Sequence, residues 1–296
     1  MRRTTFMWRS VFACVALGVA GIAEAAVVGH WVADDLNPGA AAPWPSRVGT
    51  WNAVQEGANA PVVVGGALGA AGRNAVQFGN PPLGGLQVNN AVGPKNPLVG
   101  LSSWSATVVF ETADPAAGGG GNTNPNGWWM NAALLGIELG GGTRGDWGIW
   151  ITDGTATGGA KLGASRGDPD AGVFNNTVVN DGNLHVVTAT FQLTGGNHVV
   201  NLYLDGAAAG SSSTPAGALN PAIENEALRF GSHNNFGFYK GLIGEIQLHD
   251  SALSSSEALA LQASLGASYN VPEPAGVVMS LCGALVVGIA RRRILR

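Results

Sequence analysis

Between Cys14 and Cys282 the chain contains no cysteine. Its central body therefore has no disulfide, no thiolate zinc site and no thiol nucleophile, and stability must come from an apolar core. Charge is also scarce, at 11% of residues. Seven of the fifteen basic residues lie in the outermost segments: Arg2, Arg3, Arg9, Arg291, Arg292, Arg293 and Arg296. The body, residues 26–270, keeps eight basic residues against seventeen acidic ones, a net charge of −9. An acidic body of this kind argues against nucleic acid or anionic lipid as a partner, and leaves neutral glycans and divalent cations. His30, His185, His198, His233 and His249 form no i, i+4 pair with one another, so helical metal-ligand spacing is missing. No phosphate loop, dinucleotide fingerprint or nucleophile elbow occurs.

What the chain does have begins at its ends. Met1–Ser10 is positive and free of acids, Val11–Ala23 is apolar, and Ala23-Glu24-Ala25-Ala26 sets small residues where a signal peptidase reads. The pattern predicts a secretory signal peptide over residues 1–25, with Ala23 and Ala25 marking the cleavage site. Cys14 lies in mid-run, away from that site, which argues against a lipoprotein anchor. At the other end, Val271-Pro272-Glu273-Pro274 precedes an uncharged stretch, Ala275–Ala290, and then Arg291-Arg292-Arg293. The prolines stop any helix arriving from upstream. The apolar stretch is about one short membrane crossing, and the arginines hold its far end on the cytoplasmic side.

Pro272-Glu273-Pro274, the apolar stretch and the arginines Arg291, Arg292 and Arg293 resemble the PEP-CTERM sorting signal of Gram-negative bacteria. The resemblance covers residues 271–296. It implies an exosortase as processing partner, transient membrane contact through the C-terminal helix, and a final location at the cell surface or in the extracellular matrix.

The body reads as all-β. Short β-branched runs alternate with Gly, Asn, Asp and Pro punctuation. Strands are expected near Val27–Ala33, Ala75–Phe78, Trp104–Glu111, Asn131–Glu138, Trp147–Thr152, Leu184–Gln192, His198–Leu204, Ala227–Gly231 and Leu242–His249. The sixth and seventh form a hairpin across a short glycine loop. One helix is expected: Ser254-Ser255-Ser256-Glu257 is a capping box, and Ala258–Ala263 continues it for two to three turns. Ala116–Gly127 and Gly206–Asn220 read as long loops.

The succession Asp181-Gly182-Asn183-Leu184-His185-Val186, Leu202-Tyr203-Leu204-Asp205-Gly206, Leu228-Arg229-Phe230-Gly231 and Gly241-Leu242-Ile243-Gly244-Glu245-Ile246 resembles the concanavalin A-like, laminin-G-like jelly-roll family. The resemblance implies one β-sandwich over residues 26–270 with a short late helix, flanked by the two export signals. Two positions depart from the family pattern: Leu184 replaces its usual Trp, and Gly244 replaces the Asp usual before Glu245. The second removes an acidic contributor to any inherited calcium site.

The same fold family includes glycoside hydrolases, which need two carboxylates flanking the scissile bond. Their E-x-D-x-x-E run is missing: glycines follow Glu138, and Glu245 is followed only by Asp250. The reading is therefore a non-enzymatic exported protein that binds extracellular polysaccharide. A polysaccharide-active hydrolase or lyase and a purely structural matrix protein are the alternatives. Tryptophan faces stack on sugars and amides bond their hydroxyls, so Trp128, Trp129, Asn234 and Asn235 are the glycan-binding candidates. Asp34, Asp35, Asp168 and Asp170 are the candidate calcium ligands, and calcium the one cofactor considered.

Overall fold

The computed structural model describes residues 25–57, 60–79, 84–88, 93–118, 121–138, 145–167, 171–216, 226–232 and 238–269. The sorting motif Pro272, Glu273, Pro274, Arg291, Arg292 and Arg293, the leader residue Ala23, and Asn234, Asn235, Asp168 and Asp170 lie outside the described residues. Among those described, no helix is long and apolar enough to cross a membrane.

In chain order the strands are β1 (Val27–Val32), β2 (Gly39–Ala40), β3 (Trp44–Pro45), β4 (Asn52–Glu56), β5 (Val62–Leu68), β6 (Arg73–Phe78), β7 (Gly85–Val88), β8 (Ser103–Glu111), β9 (Ala132–Ile137), β10 (Trp147–Ile151), β11 (Lys161–Arg166), β12 (Ala171–Val178), β13 (Leu184–Thr194), β14 (Asn197–Leu204), β15 (Ala207–Pro215), β16 (Leu228–Phe230) and β17 (Gly241–His249). Two helices, α1 (Gly154–Thr157) and α2 (Ser255–Tyr269), complete the regular structure with two 3-10 segments, Ala33–Asp35 and Pro125–Met130. A nine-stranded sheet runs β15-β14-β13-β8-β17-β6-β5-β2, with β1 also paired to β17; an eight-stranded sheet runs β12-β11-β10-β9-β16-β7-β4-β3. All the strand pairings are antiparallel.

Alternation explains why the two sheets stack. Ala106, Val108 and Phe110 of β8, Val187, Ala189 and Phe191 of β13, and Ile246 and Leu248 of β17 enter the shared core. Trp147, Ile149 and Ile151 of β10 meet them from the other sheet. Trp104 stacks on Phe191 at 5.2 Å, and Trp147 meets both edge-on. A second aromatic group places Phe230 between Trp31 and Trp44. Most of the body's tryptophans are thus core: Trp31, Trp44, Trp104, Trp128, Trp147 and Trp150 are fully buried.

The hairpin forms on Gly195 and Gly196, whose φ values of 57° and 78° suit a tight two-residue turn that bulkier residues resist. At the next corner Asp205 is the one non-glycine residue among those described with positive φ, 49°. This turn leads directly into β15, so the loop expected over Gly206–Asn220 is corrected through Pro215. Its small and polar residues carry no apolar alternation, because an edge strand of this kind contributes backbone bonds rather than core.

The capping box is present. Ser254 Oγ accepts from Glu257 N at 3.3 Å, and a Glu257 carboxylate oxygen accepts from Ser254 N at 2.7 Å. The helix runs further than its expected two to three turns because Ala258, Gln262, Leu265 and Tyr269 bury one face on the nine-stranded sheet. Gln262 is held by three bonds: it donates to Tyr203 O at 2.9 Å and Thr188 Oγ1 at 3.2 Å, and accepts from Gly206 N at 2.7 Å. Tyr269 closes over Gly244. A Cβ there would run into Leu68 Cδ2 and stand 3.0 Å from Tyr269 Cε1 and Oη. The departure from the family's Asp therefore has a packing cause.

Candidate functional site

One end of the nine-stranded sheet carries an open cleft of about 610 Å³. Its walls come from five places in the chain: Ala67, Gly69 and Ala70 around the β5–β6 turn, Glu111 at the end of β8, Asp181–His185 at the entry to β13, Asp205 after β14, and Tyr269 of α2. Register brings these together. Glu111 faces Leu184 across the β8–β13 ladder, and Leu204 faces Val187 across β13–β14, which carries Asp205 toward His185.

His185 is gripped from both sides. Its Nδ1 is 2.7 Å from Asp205 Oδ2 and its Nε2 is 3.1 Å from Asp181 Oδ1. Phe110 lies against the ring, with centroids 5.5 Å apart. The other Asp205 oxygen accepts from Val186 N at 2.8 Å. Asp181 also takes the backbone N–H and side-chain amide of Asn183, at 2.9 and 2.8 Å. Burial pulls the His185 pKa down, but the bond and charge of Asp205, aided by Asp181, outweigh it and leave the ring above its ordinary value. Burial likewise pushes Asp181 up, yet Asn183 and His185 overcome it and hold the carboxyl below its usual range. Glu111 goes the other way: burial raises it despite a backbone bond from Gly69, and the Asp181 charge adds to the rise. Two carboxyls of one cleft are therefore driven in opposite directions.

Among the described residues, those singled out by sequence fall elsewhere. Trp128 and Trp129 belong to the 3-10 segment Pro125–Met130 rather than to a strand. Trp128 packs over Gly148 and is fully buried, whereas Trp129 is 41% exposed beside Met130 at 57%. Asp34 and Asp35 sit in the first 3-10 turn and hold arginines. Asp34 accepts from Arg73 Nε at 2.6 Å and Asn74 N at 2.7 Å; Asp35 takes a bidentate pair from Arg47, both bonds 2.7 Å. A cation there would have to displace both guanidinium groups. Among the described residues no cluster of three or more His, Cys, Asp or Glu has metal-binding geometry. Ala25 packs near the start of α2.

Arg73 extends this charged network. It lies 4.0 Å over the Tyr269 ring and 3.9 Å from Glu245, which also bonds His30 at 2.8 Å, Gln247 at 2.8 Å and Tyr269 at 3.2 Å. Each buried charge there has a partner, which marks the network as a clasp between β1, β17 and α2 rather than a reactive site.

Residues 122–258 match a family model described as the concanavalin A-like lectin/glucanases superfamily. The sandwich is concanavalin A-like. No curated protein matches the chain. Among solved structures the concanavalin A-like sandwich is similar to domain 4 of an extracellular GH43 arabinanase from Geobacillus stearothermophilus, solved with arabinotriose, at 12% identity and TM-score 0.50; the match covers 80% of this chain and 98% of that one. It is also similar to the binding domain of Paraclostridial mosquitocidal protein 1, at 14% identity and TM-score 0.51, over 81% of this chain and 52% of that one. A structure of botulinum neurotoxin type C, whose cell entry depends on two ganglioside molecules, aligns at 12% identity and TM-score 0.51, over 81% of this chain and 51% of that one. The chain thus spans about half the length of the two toxin structures. At these identities the similarity is one of fold.

Sequence reasoning used Asp181, His185 and Asp205 as marks of the fold and missed them as a site. Glu111 carried no signal beyond ending a strand. A histidine four residues after one aspartate and twenty before another was visible, but only register makes all three converge.

Proposed function

We propose that this is an exported, non-enzymatic glycan-binding protein whose cleft at the end of the nine-stranded sheet seats a short stretch of extracellular polysaccharide. The observation that carries the reading is the convergence of Glu111, Asp181, Asn183, His185 and Asp205 around one cleft of about 610 Å³, with Leu184, Ala67 and Ala70 as apolar wall. Sugars present paired hydroxyls beside apolar ring faces, so carboxylate and amide oxygens set against small apolar side chains suit them. The arabinotriose and ganglioside named with two fold neighbours support the same ligand class. Among the described residues Trp129 is the exposed aromatic, and it is a second contact point for a long polymer.

Export belongs to the same reading. The leader over residues 1–25 and the sorting signal over residues 271–296 direct the sandwich outside the inner membrane of a Gram-negative cell, with an exosortase acting on the tail. Replacing Pro272-Glu273-Pro274 by alanines is expected to leave an unprocessed precursor; normal maturation would refute the sorting part.

Binding is tested by incubating the exported protein with immobilised plant and bacterial polysaccharides. Retention without release of reducing ends supports the proposal. One observation favours a glycan-cleaving enzyme instead: Glu111 is pushed toward its protonated form while Asp181 is held ionised, the division of labour an acid and a base require. Reducing ends released by the wild type and abolished by Glu111→Gln would establish that second reading.

A further inference from the structure

The predicted scissile bond, Ala25–Ala26, lies one residue before β1, and both sides of it are engaged by the fold. Ala26 N donates to Asp250 Oδ1 at 2.9 Å, and Asp250 N returns a bond to Ala26 O at 3.0 Å. The carbonyl oxygen of Ala25 is 3.5 Å from His249 Nδ1. Its side chain packs on the cluster of Tyr203, Leu253 and Ala258. Asp250 Oδ1 takes one more bond, from Ser251 Oγ at 3.3 Å. An ordinary amide N–H thus already points at a carboxylate.

We propose that Asp250 is the receptor for the α-ammonium created when the leader is removed between Ala25 and Ala26, so that processing locks the N-terminus onto the end of β17. The inference rests on the export reading above. Hydrolysis adds one water across the amide: the Ala25 carbonyl carbon leaves as a carboxylate, and the Ala26 nitrogen takes a proton to become an ammonium. The same nitrogen that donates a neutral bond to Asp250 then donates a charge-assisted one, about twice as strong.

The surroundings favour the charged amine. His249 of β17 is neighbour to Asp250 and is held below its ordinary pKa, first by burial, so it remains neutral at pH 7. Asp250 and Glu257 of α2 both act on that histidine as negative charges, and His30 of β1 is the other titratable group acting on it. The new ammonium consequently meets the Asp250 carboxylate, with His249 beside it held below its ordinary pKa. In the folded chain the Ala25–Ala26 amide is bonded to Asp250, and half-buried Ala25 packs against the α2 cluster. Cleavage before β1, β17 and α2 assemble spares these contacts.

The test uses the full chain expressed with its own leader in a Gram-negative host and isolated after export. Intact mass locates the N-terminus, and NMR titration of that residue gives its α-amino pKa. The expected result is an N-terminus at Ala26 with a pKa above the usual range of about 7.7–8.0, by roughly half a unit to one unit. That shift is about a three- to tenfold slower acylation of the terminus near neutral pH. Asp250→Asn should return the pKa to the usual range, and Asp250→Glu should keep most of the rise. Because the folded value is raised, the linked stability is present below about pH 7.7 and is lost as pH rises through the folded pKa. An N-terminus at Ala26 with an ordinary pKa in the wild type overturns the clamp alone. An N-terminus elsewhere overturns both the clamp and the leader assignment.

Discussion

Replacing Gly244 by alanine tests the packing of α2 on the sheet. The added Cβ would meet the buried Leu68 side chain and lie 3.0 Å from two atoms of Tyr269. Leu68 is fully buried and Tyr269 is 1% exposed, so neither has free space to enter. Tyr269 is further tied by its hydroxyl to Glu245 and by its ring to Arg73. Overpacking of this kind costs about 1–3 kcal/mol. Loss of the tyrosine's bond to Glu245 adds about 1 kcal/mol. Against these, alanine reduces the freedom of the unfolded chain and returns about 0.4–1 kcal/mol. The net expectation is a loss of about 1–3.6 kcal/mol, or roughly 2–14 °C in Tm for a domain of this size. Thermal and urea unfolding of Gly244→Ala measure it, and pairing it with Leu68→Ala should cost less than the two losses summed, because truncating Leu68 makes room for the methyl. A single variant as stable as the wild type, or a fully additive pair, would refute the argument that Tyr269 and Leu68 exclude a side chain at this position.

Other outcomes follow from the buried polar groups. His185→Gln should flatten stability against pH on the alkaline side. The folded His185 pKa is raised, so its contribution is complete below about pH 6.5 and is lost as pH rises through the higher folded value. A wild type and variant with identical pH–stability profiles would contradict the double grip of Asp181 and Asp205. Gln262→Leu keeps the bulk but strands Gly206 N and Tyr203 O under α2, at a cost of about 1–3 kcal/mol in urea unfolding. A neutral effect would mean that water reaches those groups.

Much of the fold was legible because apolar alternation and turn chemistry agree. Leu184–Thr194 and Asn197–Leu204 carry a period-two pattern on either side of Gly195-Gly196, and Ser254 with Glu257 announces α2. Strand β15 was hidden for the opposite reason: Ala207–Pro215 pairs with β14 through its backbone and one Ser211–Asn201 side-chain bond, and has no fully buried residue. In β11 a glycine interrupts the pattern because the Trp150 ring occupies the space over Gly163. Trp128 and Trp129 stood together as candidates in sequence, but the 3-10 segment Pro125–Met130 separates them, one inward and one outward. The cleft was the least legible part. Its acids come from Glu111, which only ends a strand, and from Asp181 and Asp205, which read as marks of the fold; the contacts that pair them arise only from the β8–β13–β14 register.

The most direct test of the central claim is the saturation binding of exported protein to a retained polysaccharide, compared with Asn183→Ala and monitored for sugar release. Asn183 is exposed, so its truncation leaves the core intact while removing an amide from the cleft. Asn183→Ala is expected to bind at least tenfold more weakly at unchanged Tm, with no reducing ends released by either protein. Equal affinity of the two proteins, or steady release of reducing ends, would contradict it.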